Sequence, residues 1–190
     1  QKVKKIYNNK FKKNTFGVDE VILGLRSKNY KKLNYNSNKK KKNVVLFFSH
    51  LLDGNFVYGP RKYSKDVYSG SKFIIDQLPK LKNVNWLIKK HPNHNFLKSS
   101  YDFNDQIKEY EKKYDHIKLL NDDVSPTSLL NLADIGVTLS GSVGVEYPAF
   151  GIPCVFIEKT YYSNLKFFNK INSKKDIQKT LQNIHKLKIP

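Results

Sequence analysis

The sequence is poor in residues that mark several protein classes. A single cysteine, Cys154, in 190 residues excludes an internal disulfide and a thiolate metal cluster. Methionine is absent altogether, so not even an initiator is present, and the chain reads as a piece of a longer or processed protein. Nowhere do apolar residues run to the roughly 20 that cross a bilayer. The first residues, QKVKKIYNNKFKK, are basic and lack the apolar centre of a secretion signal, although in a fragment this says little about the parent. The cytoplasm is the compartment such cysteine usage suits. Arginine is nearly missing too: Arg26 and Arg61 are the only two, so the formal net charge of +19 is almost all lysine. Arginine is the usual residue for bidentate phosphate and guanine contacts. The lysines are spread rather than interleaved with stacking aromatics, so no nucleic-acid partner is expected. Lysine with abundant asparagine reads instead as surface composition. There is no Gly-Lys-Ser/Thr P-loop, no Asp-X-Asp motif, and no His/Cys/Asp cluster at ligand spacing; no bound metal is expected.

What remains describes a folded α/β protein. Hydrophobic residues at 39% and aromatics at 13% are enough for a core. Residues 1–42 are rich in lysine and asparagine and end in the run Lys39–Lys42; they read as a basic connector or the end of a missing upstream domain, interrupted by the apolar patch at 21–25. From residue 43 to 190 the pattern is regular. Val44–Ser49 is a continuous apolar and aromatic run, as a strand buried on both faces would be. A helix is predicted from about Asp66 to Gln77, a strand over Val84–Lys89, and a helix carrying Phe103, Ile107, Tyr110 and Tyr114 on one face. A short strand follows at His116–Leu120, and Ser125-Pro126 opens a helix. Strands are predicted at Asp134–Leu139 and Ile152–Ile157, with a short helix between them. Ser173 and Asp176 form a capping-box pattern before Ile177, Leu181 and Ile184. Buried strands alternating with helices predict a Rossmann-like parallel sheet with helices on both faces. Cys154, inside an apolar run, reads as a small core residue.

In such a fold ligands bind outside the carboxyl ends of the strands, and three groups fall there. Lys89-Lys90-His91-Pro92 follows a strand; proline biases His91 toward an extended conformation that aims the imidazole outward, where it can donate to a phosphate oxygen. Ser140-Gly141-Ser142-Val-Gly-Val-Glu146 lies between a strand and a helix. Its small residues allow amides to approach an anion, Ser140 and Ser142 add hydroxyls, and Glu146, one turn on from Ser142, is placed to accept from a ribose diol. The alternative is that Ser142 merely caps the helix and Glu146 offsets its dipole. The segment also approximates the Gly-x-Ser-x-Gly elbow of serine hydrolases, but lacks a partner base nearby. The third group, Ser49-His50-Leu-Leu-Asp53-Gly54, offers His50 and Asp53 as weak catalytic candidates, or only turn chemistry.

Taken together, Trp86-Leu-Ile-Lys-Lys-His-Pro92, Leu129-Leu-Asn-Leu-Ala-Asp134, Ser140–Glu146 and Phe150-Gly-Ile-Pro153 resemble the C-terminal half of bacterial capsule polysaccharide biosynthesis proteins. These are GT-B-type glycosyltransferases similar to capsule Kdo transferases, and more distantly to CDP-glycerol polymerases. The resemblance spans about residues 44–170. It implies that His91, Ser140, Gly141 and Ser142 contact the donor phosphate and that Glu146 contacts the ribose. It implies a nucleotide-activated sugar as donor, a CMP-linked acid sugar being the first candidate, and a glycan or lipid-linked acceptor. The resemblance implies no cofactor beyond the donor and no essential metal, and implies that the catalytic base comes from an N-terminal domain outside this chain. A basic surface would suit an anionic glycan or peripheral contact with the inner membrane. Tyr147 and Pro148 depart from the small or apolar residues usual in the family, and Pro148 is expected to shorten the helix. Two other readings stay open: a UDP-sugar epimerase of the same architecture, for which a second glutamate beside Glu146 is expected, and a non-catalytic nucleotide- or glycan-binding module of a polysaccharide assembly complex.

Overall fold

The computed structural model describes residues 33, 35, 40–48, 62–91, 102–124, 126–160, 162, 163, 165 and 171–188. Five parallel strands are present among them: β1 (Asn43–Phe47), β2 (Asn85–Lys89), β3 (Ile117–Leu119), β4 (Ile135–Thr138) and β5 (Cys154–Phe156). The helices are α1 (Val67–Ile75), α2 (Asn104–Lys113), α3 (Pro126–Leu132), α4 (Val143–Ala149) and α5 (Lys174–Gln182). Short 3-10 turns at Leu78–Lys80 and Ile184–Lys186 complete the described elements.

The strand order is β3-β2-β1-β4-β5. The chain first steps from β1 outward to β3, then crosses back past β1 to β4 and steps outward the other way. With right-handed crossovers these two directions put their helices on opposite faces, and the packing agrees. Val44, Leu46, Trp86, Ile88 and Val137 face one core, shared with Ile74 and Ile75 of α1, Ile107 of α2 and Ile177 and Leu181 of α5. Val45, Leu87 and Cys154 face the other, shared with Leu129 of α3 and Val143 and Tyr147 of α4. Neighbouring residues of one strand therefore enter different cores, which is why the strands read as unbroken apolar runs rather than alternations. Leu33 and Tyr35 also pack on the second face.

The ends of the elements follow local chemistry. Asp66 caps α1 in a full capping box: its carboxylate accepts from Ser69 N at 2.6 Å, and its own N–H donates to Ser69 Oγ at 3.1 Å. Ser173 caps α5 by accepting from Asp176 N at 3.1 Å, while the Asp176 carboxylate reaches one residue further back, to Asn172 N at 3.0 Å. The predicted strand at 152–157 begins two residues late, at Cys154. The Ile152 N–H is spent on Tyr147 O in the turn that ends α4, and Pro153 has none to give. Pro148 lies inside α4 and the helix has only 7 residues, the shortening expected of it. Gly151, at φ 83°, then reverses the chain in the left-handed region that suits glycine. Among the described residues no helix is long and apolar enough to cross a membrane.

Candidate functional site

Strand register aligns one row across the sheet. Lys89 and Thr138 flank Phe47, and Phe156 pairs with Thr138. His91, Ser140 and Glu158 each lie two residues past that row, at the carboxyl edge. Between β1 and β4 the direction of chain progression reverses, and this is where an open α/β sheet leaves a crevice.

The turn after β4 is tied down on several sides. Thr138 Oγ1 accepts from Gly141 N at 3.0 Å. Tyr162 shares its hydroxyl proton between Ser140 O and Gly141 O, at 2.8 and 2.6 Å. A Cβ on Gly141 would lie 2.8 Å from Thr138 Oγ1, so glycine is what allows the close turn. Ser142 stands at the N-cap position of α4 but makes no side-chain cap bond. Its hydroxyl donates instead to Glu146 Oε1 at 3.0 Å. The capping alternative is thus replaced by a hydroxyl–carboxylate pair one helical turn apart. The Glu146 side chain is buried, with 5% of its surface exposed. The N–H groups of Ser142 and Val143, at the start of α4, take no intramolecular partner among the described residues. The segment can therefore present two amide donors and a carboxylate acceptor within one turn of chain.

Gly144 has a different task. A Cβ there would come within 1.7 Å of Phe156 Cζ, so its smallness admits the Phe156 ring under α4. Tyr147, the departure beside Glu146, points into the core. Its ring meets Phe47 edge-on at 5.3 Å and fills the space that Gly136 leaves on β4. Its hydroxyl is buried without a hydrogen-bond partner. Desolvation, with Cys154 and Glu146 adding to it, pushes that hydroxyl far above the usual tyrosine range. Burial likewise pushes the Cys154 thiol up, so it stays protonated, a core residue as expected.

His91 lies on the other side of β1, half-buried at the end of β2. Two strand spacings, about 10 Å, separate it from the Ser140 turn. The two lysines before it are occupied. Lys89 is buried and donates to the carbonyls of Asn121 and Asp122 at 2.9 and 3.0 Å, tying down the loop after β3. Lys90 pairs with Asp122 Oδ1 at 3.4 Å. The structure thus joins Ser140, Gly141, Ser142 and Glu146 in one cluster and sets His91 across the crevice. His50 and Asp53 lie outside the described residues.

Two residues of this edge escaped the sequence reading. Glu158, 2% exposed, follows β5 and accepts from Lys62 N (2.9 Å), Tyr63 N (3.1 Å) and Ser64 Oγ (2.6 Å). It pins the segment leading into α1 beside a cavity of about 120 Å³ floored by Phe73, Ile157 and Ile177. A lone carboxylate straight after an apolar strand was the available signal. Tyr162 had none, because its partners lie 21 and 22 residues away.

No protein-family model matches this chain, and no curated protein matches it in sequence. Among solved structures it is similar to the UDP-GlcNAc 2-epimerase of Methanocaldococcus jannaschii, determined in complex with UDP-GlcNAc and UDP. The TM-score is 0.53 and the identity 14%, over 96% of this chain and 46% of that one. It is also similar to KpsC of Thermosulfurimonas dismutans, a β-Kdo 2,4 transferase, with TM-score 0.51 and 15% identity over 89% of this chain and 49% of that one. The chain thus spans about half the length of each. At such identities the likeness establishes the fold: this chain has the Rossmann-like α/β architecture expected for one half of a GT-B arrangement.

Proposed function

We propose that this chain is the donor-binding half of a glycosyltransferase of capsule or surface polysaccharide synthesis. It holds a nucleotide-activated sugar, a CMP-linked one being the first to test, for transfer to a glycan or lipid-linked acceptor. Ser140, Gly141 and Ser142 contact the donor phosphate, with His91 reaching it from β2, and Glu146 accepts from the ribose hydroxyls. The observation that carries this reading is the exposed Ser142 hydroxyl bonded to the buried Glu146 carboxylate at the carboxyl edge, where the sheet order reverses. A carboxylate held there next to open amides matches the two ends of a ribose phosphate: hydroxyl donors for the acid, an anion for the amides. Lysines over the surface favour an anionic donor or glycan and peripheral contact with an anionic membrane face. The catalytic base is assigned to the half of the enzyme outside this chain, with His50 and Asp53 as weaker candidates within it.

A nucleotide-sugar epimerase is the second reading, favoured by the likeness to the M. jannaschii enzyme. The position after Glu146 speaks for the transferase. An epimerase was expected to carry a second glutamate there, and the residue is Tyr147, turned into the core.

Calorimetric titration with CMP, CDP and UDP tests the donor site. Preference for one nucleotide is expected, weakened at least tenfold in His91→Ala and in Glu146→Ala. A folded chain that binds none of the three would refute the site and shift the reading to a non-catalytic glycan-binding module. Turnover by the full-length parent separates the enzyme classes: transfer to an acceptor supports the first reading, and interconversion of a free nucleotide sugar the second.

A further inference from the structure

Tyr162 stands outside the cluster of Ser140, Gly141, Ser142 and Glu146, yet its hydroxyl reaches the backbone of the turn that carries them. The Oη atom lies 2.8 Å from Ser140 O and 2.6 Å from Gly141 O. A peptide unit is planar, so holding its oxygen also sets the direction of its N–H. The Ser140–Gly141 peptide is held at both ends, its oxygen by Tyr162 and its N–H by Thr138 Oγ1. The oxygen of the Gly141–Ser142 peptide accepts from Tyr162 and from Gly144 N. That leaves the Cα of Ser142 little freedom, and with it the hydroxyl that donates to Glu146 Oε1 at 3.0 Å.

The tyrosine is itself a rigid strut. Its ring is 6% exposed and packs at 4.9 Å on Phe156, which is seated on β5 in the space left by Gly144. Its backbone belongs to a turn closed by Thr160 N donating to Ser163 Oγ at 2.6 Å and Ser163 N donating to Thr160 O at 3.1 Å. A chain of contacts thus runs from β5 through Phe156 and Tyr162 to the turn after β4, to Ser142 and to Glu146.

We infer that Tyr162 is a positioning residue for sugar recognition: it holds Ser142 where its hydroxyl orients the Glu146 carboxylate toward a ribose diol. This rests on the reading of Glu146 as the ribose acceptor. A buried tyrosine hydroxyl also needs a partner for its own sake, so the test must read ribose recognition and not stability alone.

Tyr162→Phe keeps the ring and its packing and removes only the tie. The probes are the nucleotide that the wild-type chain prefers among CMP, CDP and UDP, and its 2′,3′-dideoxy counterpart. Affinities are read by NMR titration, with the dispersion of the amide spectrum confirming the fold. Wild type is expected to favour the ribonucleotide by about tenfold or more, the scale of a hydrogen bond to a charged group. In Tyr162→Phe that ratio is expected to fall to within about twofold of unity, the loss falling on the ribonucleotide and any loss for the dideoxynucleotide, through the Ser142 amide, being clearly smaller. An unchanged ratio overturns the inference, as does an equal loss for both ligands, which marks general loosening. A wild-type chain that binds neither ligand, or binds both equally, overturns the ribose-site reading and the inference with it.

Discussion

Gly144→Ala separates local propensity from tertiary packing. Position 144 lies in the first turn of α4, and on propensity alone alanine would gain up to about 1 kcal/mol over glycine. The structure reverses the sign. A Cβ would stand 1.7 Å from Cζ, 1.8 Å from Cε1 and 2.9 Å from Cδ1 of Phe156. Carbon atoms pack at about 3.5–4.0 Å, so the ring edge must retreat by roughly 2 Å. It has little room: Phe156 is 7% exposed, its backbone is paired to β4, and the Tyr162 ring packs against it at 4.9 Å. A clash this deep falls in the upper part of the overpacking range, about 2–3 kcal/mol, which leaves a net loss of about 1–2 kcal/mol after a helix gain of up to about 1 kcal/mol. In urea, with a slope of about 2 kcal/mol per molar, the unfolding midpoint should fall by roughly 0.5–1 M at unchanged slope. Phe156→Leu alone should cost about 1–2 kcal/mol. The double variant should cost less than the sum, by about 1–2 kcal/mol, since leucine vacates the space the new methyl needs. A neutral or stabilising Gly144→Ala, or strictly additive variants, would refute the account of Gly144 as the seat of Phe156.

Tyr147→Phe removes a buried hydroxyl without a partner and should stabilise the chain by about 1 kcal/mol, raising the melting temperature by about 2–4 °C in calorimetry; a lower melting temperature would show that the hydroxyl is satisfied. Glu158→Ala removes the oxygens that accept from Lys62 N, Tyr63 N and Ser64 Oγ, and should cost about 2–3 kcal/mol in chemical denaturation; a loss under about 0.5 kcal/mol would mean that the segment at 62–64 is not held by this carboxylate. Asp66→Ala should cost about 1 kcal/mol near neutral pH through the lost cap. The backbone N–H of Ser69, then its hydroxyl, hold the Asp66 carboxyl below the usual carboxylate range. Its contribution is therefore complete above the unfolded value near pH 4 and fades as pH falls through the lower folded value. The gap between wild type and variant in unfolding free energy should narrow on acidification, and a gap that widens would contradict the sign.

The strands, helices and their alternation were legible in the sequence because each rests on local information. Val44–Ser49 reads as a run buried on both faces, Val84–Lys89 as a strand, and Phe103, Ile107, Tyr110 and Tyr114 fall on one helix face. Asp66, Ser173 and Pro148 shape their helices through neighbours within a turn. The strand order brought Ser140–Ser142 and Glu146 to the carboxyl edge, where sequence reasoning placed them, since strand-then-helix order implies which edge that is. The rest was settled by contacts that no local pattern encodes. Nothing near Ser142 announces that its hydroxyl serves Glu146 rather than the helix end. Gly144 looks like a flexible loop glycine until Phe156, 12 residues on, is seated against it. Tyr147 looked like a disturbance to the site until its ring met Gly136 and Phe47 in the core. Tyr162 became visible only when pairing of β5 with β4 carried the chain back over the turn, and Glu158, a lone carboxylate after an apolar run, met its partners only there. Periodicity and capping report what a residue does within about four positions of itself; which side chain crosses to hold a distant backbone depends on the packed sheet.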